Sequence, residues 1–570
     1  MSAKHHPSRW SPLALSPSIT LLLLLGPVLA GLLGTALPAF GYLPALGGNT
    51  FTLAPWHDLL QAPGIVTSLK LSLSTGLTAT LLSLLIVIGF CAAWHGTPWF
   101  QRLLRLLSPL LSVPHVTVAF ALAFLIAPSG WLLRLLSPWA TGINRPPDWL
   151  IVQDPAGLAL IAALVLKEVP FLLLMSLAAL NQVQQQARPL ARTLGYGPMA
   201  AWLAALLPAV YLQIRLPVFA VLAFSLSVVD VSLVIGPTTP APLAVQLLNW
   251  FNAPDLRLRF MASAGALLQL GLVLFALALW WGLEHIVRRL GLYWLRHGWR
   301  WRCDLWARVL ALLPILICFG CVLLGLIALL LWSLAQSWRF PAALPSALTL
   351  DHWSRYLLSA HTPLLHTVLV GTASTALALL LVICCLEHET RFGRRPSNRA
   401  LWLLYLPLLV PQVAFLFGAQ VLLISVRLDG HWLALLWSHM IFVLPYVFLS
   451  LADAYRAWDE RYARSARCLG ASANRVWLRL KLPMLLRPIL TTAAVGFAVS
   501  VAQYLPTLFA GAGRYPTLTT EAVALAAGGD RRAIGVYAYL QLLLPLLAFA
   551  LAQLIPAWRF RQRRGLQVQS

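Results

Sequence analysis

Acidic residues are scarce in this chain: 17 Asp and Glu stand against 41 Lys and Arg in 570 residues, and charged residues of both signs make up only 10%. Soluble domains carry about a quarter charged residues, so this shortage argues against a water-soluble fold. Lysine is rarer still, at positions 4, 70, 167 and 481, each preceded by Ala or Leu. A phosphate-binding loop needs Gly-Lys-Ser/Thr, so nothing here hydrolyses ATP. The seven cysteines (91, 303, 318, 321, 384, 385 and 468) lack metal-ligand spacing and read as small apolar fillers. Histidines 95, 115, 361, 366, 388 and 439 show no His-x-x-x-His pair, and no Gly-x-Ser-x-Gly elbow occurs. No catalytic set, metal site or cofactor is expected.

What the chain has in abundance is apolar length. Hydrophobic residues are 60% of the total, the mean hydropathy is +0.80, and apolar runs of about twenty residues recur throughout. Backbone groups in lipid must be satisfied within the segment, so the runs are helices and the fold class is all-α, polytopic, embedded in the bilayer. Twelve spans are expected, near 18–39, 66–94, 103–127, 156–180, 214–236 and 261–287, then 308–334, 363–386, 401–426, 432–451, 488–510 and 536–558. The run at 18–39 is long for a signal-peptide core and is kept as the first span. This divides the chain into a tail (1–17), a first transmembrane domain (18–287), a basic linker (288–307), a second transmembrane domain (308–560) and a second tail (561–570).

The net charge of +24 sits in short loops, where it sets orientation and does not bind nucleic acid. With both tails placed in the cytoplasm, 29 of the 41 basic residues fall inside and ten outside. The linker, with tryptophans 294, 299, 301 and 306, reads as an interfacial segment with an aromatic belt.

Two stretches 275 positions apart repeat: Ala191-Arg192-Thr193-Leu194-Gly195 with Trp202 and Leu207-Pro208, and Ala466-Arg467-Cys468-Leu469-Gly470 with Trp477 and Leu482-Pro483. The same offset carries Pro170 onto Pro445, Leu174 onto Leu449 and Ala179 onto Ala454. Each repeat is a polar loop between the fourth and fifth spans of a half. Its glycine permits a tight turn, and its Leu-Pro starts the next span. Further pairs are Pro109-Leu-Leu-Ser-Val-Pro114-His115 with Pro407-Leu-Leu-Val-Pro411-Gln412, and Phe224–Asp230 with Phe497–Gln503. Two six-helix halves sharing one topology follow, related by an axis along the membrane normal.

Both loops resemble the coupling segment of permease subunits of binding-protein-dependent ABC importers, a pattern of roughly Glu-Ala-Ala-x-x-x-Gly followed after about nine residues by an apolar residue, x and Leu-Pro. Its second Ala falls on Ala191 and Ala466, its Gly on Gly195 and Gly470, and its Leu-Pro on Leu207-Pro208 and Leu482-Pro483. The fused double length resembles the ferric-iron and thiamine branch, and Ser227–Pro240 is most similar to thiamine-type members. The resemblance implies a type I importer permease in a bacterial inner membrane, with a periplasmic solute-binding protein and two copies of a separate ATPase subunit as partners. Thiamine or a related compound is the implied cargo, with ferric iron or polyamine behind it. A secondary transporter and a polytopic membrane enzyme are the alternatives from other classes.

The pattern's Glu is replaced by Pro189 and Arg464, so Asp459 or Glu460 would have to serve in the second copy. The first copy has Gln213 where the second has Pro488, and is expected to couple more weakly. Within the spans, Lys167 lies about 16 Å from the outer end of the fourth span at 1.5 Å per residue, near the middle of a ~30 Å core. Two readings stand. Lys167 clamps helices together by pairing with Asp230 or Glu168, or these residues line a translocation path with His115, Gln412, His439 and Gln503.

Overall fold

In the computed structural model, residues 12–183, 187–298, 300–301, 304–393 and 398–561 are described. The outermost parts of both expected tails, 1–11 and 562–570, and Cys303 lie outside the described residues.

The first half runs through α1 (Pro12–Ala39), α2 (Ile65–Trp94), α3 (Pro98–Ser112), α4 (His115–Ile126), α5 (Leu158–Gln182), α6 (Ala187–Thr193), α7 (Pro198–Ala205), α8 (Leu207–Ser227), α9 (Asp230–Ile235), α10 (Leu243–Phe251) and α11 (Leu258–Arg296). The second repeats the series with α12 (Leu305–Leu334), α13 (Asp351–Phe392), α14 (Asn398–Leu409), α15 (Gln412–Ser425), α16 (Trp432–Arg456), α17 (Arg461–Cys468), α18 (Ala473–Val476), α19 (Leu486–Val501), α20 (Leu505–Gly511), α21 (Leu518–Gly528) and α22 (Arg531–Arg559). Among the described residues ten helices are long and apolar enough to cross a membrane, and the number rises to twelve if each of two bent pairs is counted as one span. Short helices at Ala54–Gln61 and Trp131–Leu136 and a two-strand hairpin, Ala335–Ser337 with Ala347–Leu348, fill connections between spans.

Four of the expected continuous spans are broken. The third span of each half stops before a proline, α3 giving way to α4 at Val113-Pro114 and α14 to α15 at Val410-Pro411, where the two pieces meet at 89°. Proline disfavours helical backbone in the residue before it, and Val113 is accordingly extended, with ψ 123. The fifth spans break between α8 and α9 and between α19 and α20. The sixth span of the first half is longer than expected: α11 continues to Arg296, well into the basic linker.

The halves exchange their first helices. Helix α1 packs along α15 of the second half, and α12 packs along α4 of the first. Each hydrophobic core is therefore composite: Leu24 and Val28 of α1 join second-half residues such as Phe415 and Val447, while Ile315, Val322 and Leu329 of α12 join Phe120 and Leu164. Two glycines allow the first crossing, because a Cβ on Gly418 would stand 2.0 Å from the carbonyl oxygen of Gly31. The pseudo-symmetric crossing has Gly325 against Ala121, where a Cβ would come within 2.7 Å of the Ala121 carbonyl oxygen. Small residues at such crossings let backbones approach in lipid, where packing and not water drives association.

The same symmetry appears in polar detail. The N-terminal amide of α10, on Leu243, donates to Ser72 on α2 at 2.9 Å, and that of α21, on Leu518, donates to Thr367 on α13 at 2.9 Å. If each bent pair is counted as one span, both halves have six crossings, which puts both repeat loops and the linker on one face of the bundle.

Candidate functional site: two capped loops and a broken-helix interior

Both repeat loops end a helix in the same way. In the second, the Gly470 N–H donates to Arg467 O (2.9 Å) and the Ala471 N–H to Ala466 O (3.0 Å). In the first, the Gly195 N–H donates to Arg192 O (3.0 Å) and the Tyr196 N–H to Ala191 O (3.3 Å). This is the Schellman arrangement, in which a left-handed residue turns the chain so that two amides satisfy the last free carbonyls of the helix. Gly470 has φ +82 and Gly195 φ +86, the region where a side chain is strained. The repeated Ala-Arg-x-Leu-Gly is thus a helix stop, with Ala and Arg supplying carbonyls. The first copy forms the same cap with slightly longer bonds, despite its departures from the pattern.

The residue before each glycine, which the sequence reading passed over, projects outward. Leu469 is 89% exposed and Leu194 57% exposed. An unpacked leucine at the tip of each loop is the kind of side chain that fills a partner's pocket. Its signal in the sequence was present, a leucine inside a polar segment. Arg192 and Arg467 are exposed beside them. Asp459, considered as a stand-in for the missing Glu, is held inside its own loop: it accepts from the Arg461 backbone N–H (2.9 Å) and from the Arg461 guanidinium (2.6 Å), which keep its carboxyl below the usual range.

The two loops are anchored by different chemistry. In the second, Glu387 near the end of α13 accepts from Lys481 Nζ (3.1 Å), the Tyr455 hydroxyl (2.7 Å) and Arg391 Nε (2.7 Å). Trp477 Nε1 donates to the Tyr455 oxygen (3.0 Å), and Arg391 also reaches Asn474 Oδ1 (2.8 Å). In the first half, the 275 offset puts Leu180 and Leu206 where the second has Tyr455 and Lys481, and these pack with the buried Trp202 in an apolar core. Leu207-Pro208 begins α8, as expected. Leu482-Pro483 does not begin α19: a π-helical stretch, Trp477–Lys481, precedes it, and the span starts at Leu486 after a 70° bend. The wider turn brings Trp477 and Lys481 together onto Glu387.

In the interior, Lys167 forms no salt bridge with Asp230 or Glu168 among the described residues, although it interacts electrostatically with Glu168. Its Nζ donates to the carbonyls of Leu111 (3.0 Å) and Val113 (2.6 Å), the free acceptors left where α3 stops. A cation at a helix C-terminus also matches the helix dipole. Glu168 lies instead 3.5 Å from His115, the first residue of α4, and Asp230, the first residue of α9, also interacts electrostatically with His115. From the second half, Tyr446 interacts electrostatically with Glu168 and Tyr504 with Asp230. Gln412 opens α15 as His115 opens α4, while Gln503 lies in the α19–α20 break. His439 is engaged elsewhere: it is buried and both ring nitrogens are bonded, Nδ1 to Ser500 Oγ (2.8 Å) and Nε2 to Thr507 Oγ1 (2.9 Å). No group of three metal-ligating side chains occurs among the described residues.

The family description "Binding-protein-dependent transport system inner membrane component" matches residues 382–556, the stretch that contains the second loop. Over 528 residues the chain is 34% identical to the inner membrane ABC transporter permease protein YnjC of Escherichia coli, covering 90% of this chain and 93% of that one. Shorter matches are the spermidine/putrescine transport system permease protein PotC of Haemophilus influenzae, 23% identical over 34% of this chain and 74% of the relative, and the molybdenum transport system permease protein ModB of Mycobacterium bovis, 31% identical over 28% and 66%. With two spans' worth of broken helices in each half, paired capped loops and a relative matched along nearly its whole length, the chain belongs to the family of binding-protein-dependent ABC transporter permeases.

Proposed function

We propose that this chain is the permease of an importer, its two halves together forming one translocation path. The carrying observation is the pair of identically capped loops, each ending in an exposed leucine. Two equivalent protrusions suit two copies of one ATPase subunit, and the basic residues concentrated in these loops and the linker favour the cytoplasmic side for them. The path runs between the halves, past His115, Glu168 and Asp230 of the first half and Tyr446 and Tyr504 of the second, with Gln412 and Gln503 at the second half's helix breaks completing it. Two carboxylates with Lys167 already engaged suit a small polar or cationic solute handed over by a periplasmic binding protein. Thiamine rests only on the resemblance of Ser227–Pro240, and the relatives above add nothing to it, two of them being named for polyamines and for molybdenum.

Purification of the tagged chain from its native membrane tests this reading. Co-isolation of an ATPase subunit at two copies per chain is expected. A chain that purifies alone, and takes up solute in response to an ion gradient without ATP, contradicts it.

A further inference from the structure

The linker between the halves does more than join them. Its Asp304, 6% exposed, stands just before α12, yet its side chain makes no bond to its own helix. The Oδ2 atom accepts instead from the Met199 N–H, at 2.6 Å, in the first turn of α7. One residue group earlier in the linker, the Arg300 carbonyl accepts from the Gly197 N–H at 3.1 Å, and Trp294 meets the ring of Tyr196 edge-on. The second loop needs no such help. There Ser472 precedes α18 and its own hydroxyl accepts from the Arg475 N–H at 3.4 Å. By the 275 offset, Ser472 corresponds to Gly197, and the backbones match: φ −61, ψ 160 at Gly197 against φ −67, ψ 156 at Ser472. The first loop thus has the backbone of an N-cap and no side chain to act as one.

We infer that Asp304 is a positioning residue for the first ATPase-coupling loop, supplying from the interdomain linker the N-cap that Gly197 lacks. Free amides at a helix start need an acceptor, and a carboxylate there also complements the helix dipole. Since the cap comes from the residue that starts α12, the first loop is tied to the second half's exchanged helix, whereas the second loop is tied to α13 through Glu387. Any displacement of α12 relative to the first half is then transmitted to the Leu194 tip. The inference rests on the reading that both loops dock an ATPase subunit.

The test uses the full chain co-expressed with its ATPase subunit and carrying Leu194→Cys or Leu469→Cys for crosslinking. Three backgrounds are compared: otherwise wild type, Asp304→Ala, and Asp304→Ala/Gly197→Ser. Hydrogen exchange at the Met199 amide reads the cap itself. Asp304→Ala is expected to speed that exchange about fivefold and to lower crosslinking from position 194 while leaving that from 469 intact. Serine at 197, in a backbone already suited to it, is expected to restore both. Unchanged crosslinking at 194 in Asp304→Ala overturns the inference, as does a double variant that regains amide protection without regaining the crosslink. If Asp304→Ala yields no folded chain, recovery of folding and crosslinking by Gly197→Ser supports the capping role, and failure to recover overturns it. Absence of crosslinking at both positions in the otherwise wild-type chain contradicts the ATPase-docking reading itself, and the inference falls with it.

Discussion

Lys167 Nζ sits 2.6 Å from the carbonyl oxygen of Val113, so the one lysine in the middle of the first half holds a helix break together. A lysine mid-membrane is costly unless it meets acceptors or water. Here the break at Pro114 supplies the acceptors, and each feature makes the other tolerable.

Lys167→Met therefore leaves the Leu111 and Val113 carbonyls without their donor and is expected to lower stability by about 1.5–3 kcal/mol, the range for hydrogen bonds to charged groups. The exchange Lys167→Asp/Asp230→Lys is expected to recover nothing, since the two residues are not paired. Folded yield and melting temperature, followed by fluorescence-detected gel filtration, check both outcomes. Recovery in the exchanged chain would restore the clamp reading.

Glu387 gathers Lys481, Arg391 and Tyr455 where the second loop enters the membrane. Removing the carboxylate alone strands the buried Lys481, whose side chain is 4% exposed. Glu387→Leu is expected to cost about 3–5 kcal/mol, and Glu387→Leu/Lys481→Leu to recover most of it, because the first half fills the equivalent space with apolar side chains. Thermal melting of the three chains reads this directly.

The glycines of the two loops are expected to behave alike. At Gly470 nothing stands within 4 Å of an added Cβ, so the cost of Gly470→Val is conformational, about 1–2 kcal/mol or somewhat more for a branched side chain. Gly470→Asn is expected to remain close to wild type, asparagine tolerating left-handed backbone. The same pair of changes at Gly195 should give the same order, measured as ATPase activity of the reconstituted complex.

Gly418→Ala has no such latitude, since the new Cβ would lie against the backbone of α1. Overpacking of this kind costs about 1–3 kcal/mol or more. The expected result is loss of folded chain, with Gly325→Ala milder in proportion to its longer approach. Detergent-solubilised yield compares the two.

Much of this was legible in the sequence, for identifiable reasons. Helix class and approximate spans follow from apolar length, and Ala-Arg-x-Leu-Gly repeats because a helix stop with a left-handed glycine has strict local requirements. The breaks at Pro114 and Pro411 carried a signal, X-Pro inside an apolar run, that the run length masked. The destination of Lys167 was not legible, because backbone carbonyls do not appear in a sequence and a nearby carboxylate does. The partners of His439 were hidden for a related reason: Ser500 and Thr507 lie far along the chain and meet it only after α19 and α20 fold beside α16. The exchange of α1 and α12 left no mark beyond small residues at Gly31, Gly325 and Gly418.

The central claim, that the two loops are equivalent docking points for an ATPase, is tested most directly by site-specific crosslinking from the loop tips. Cysteines at Leu194 and Leu469, in a chain co-expressed with its ATPase subunit, are expected to react from the cytoplasmic side and each to form a crosslink to a separate copy of that subunit. Labelling from the periplasmic side, or crosslinks to no ATPase from either position, would contradict the account.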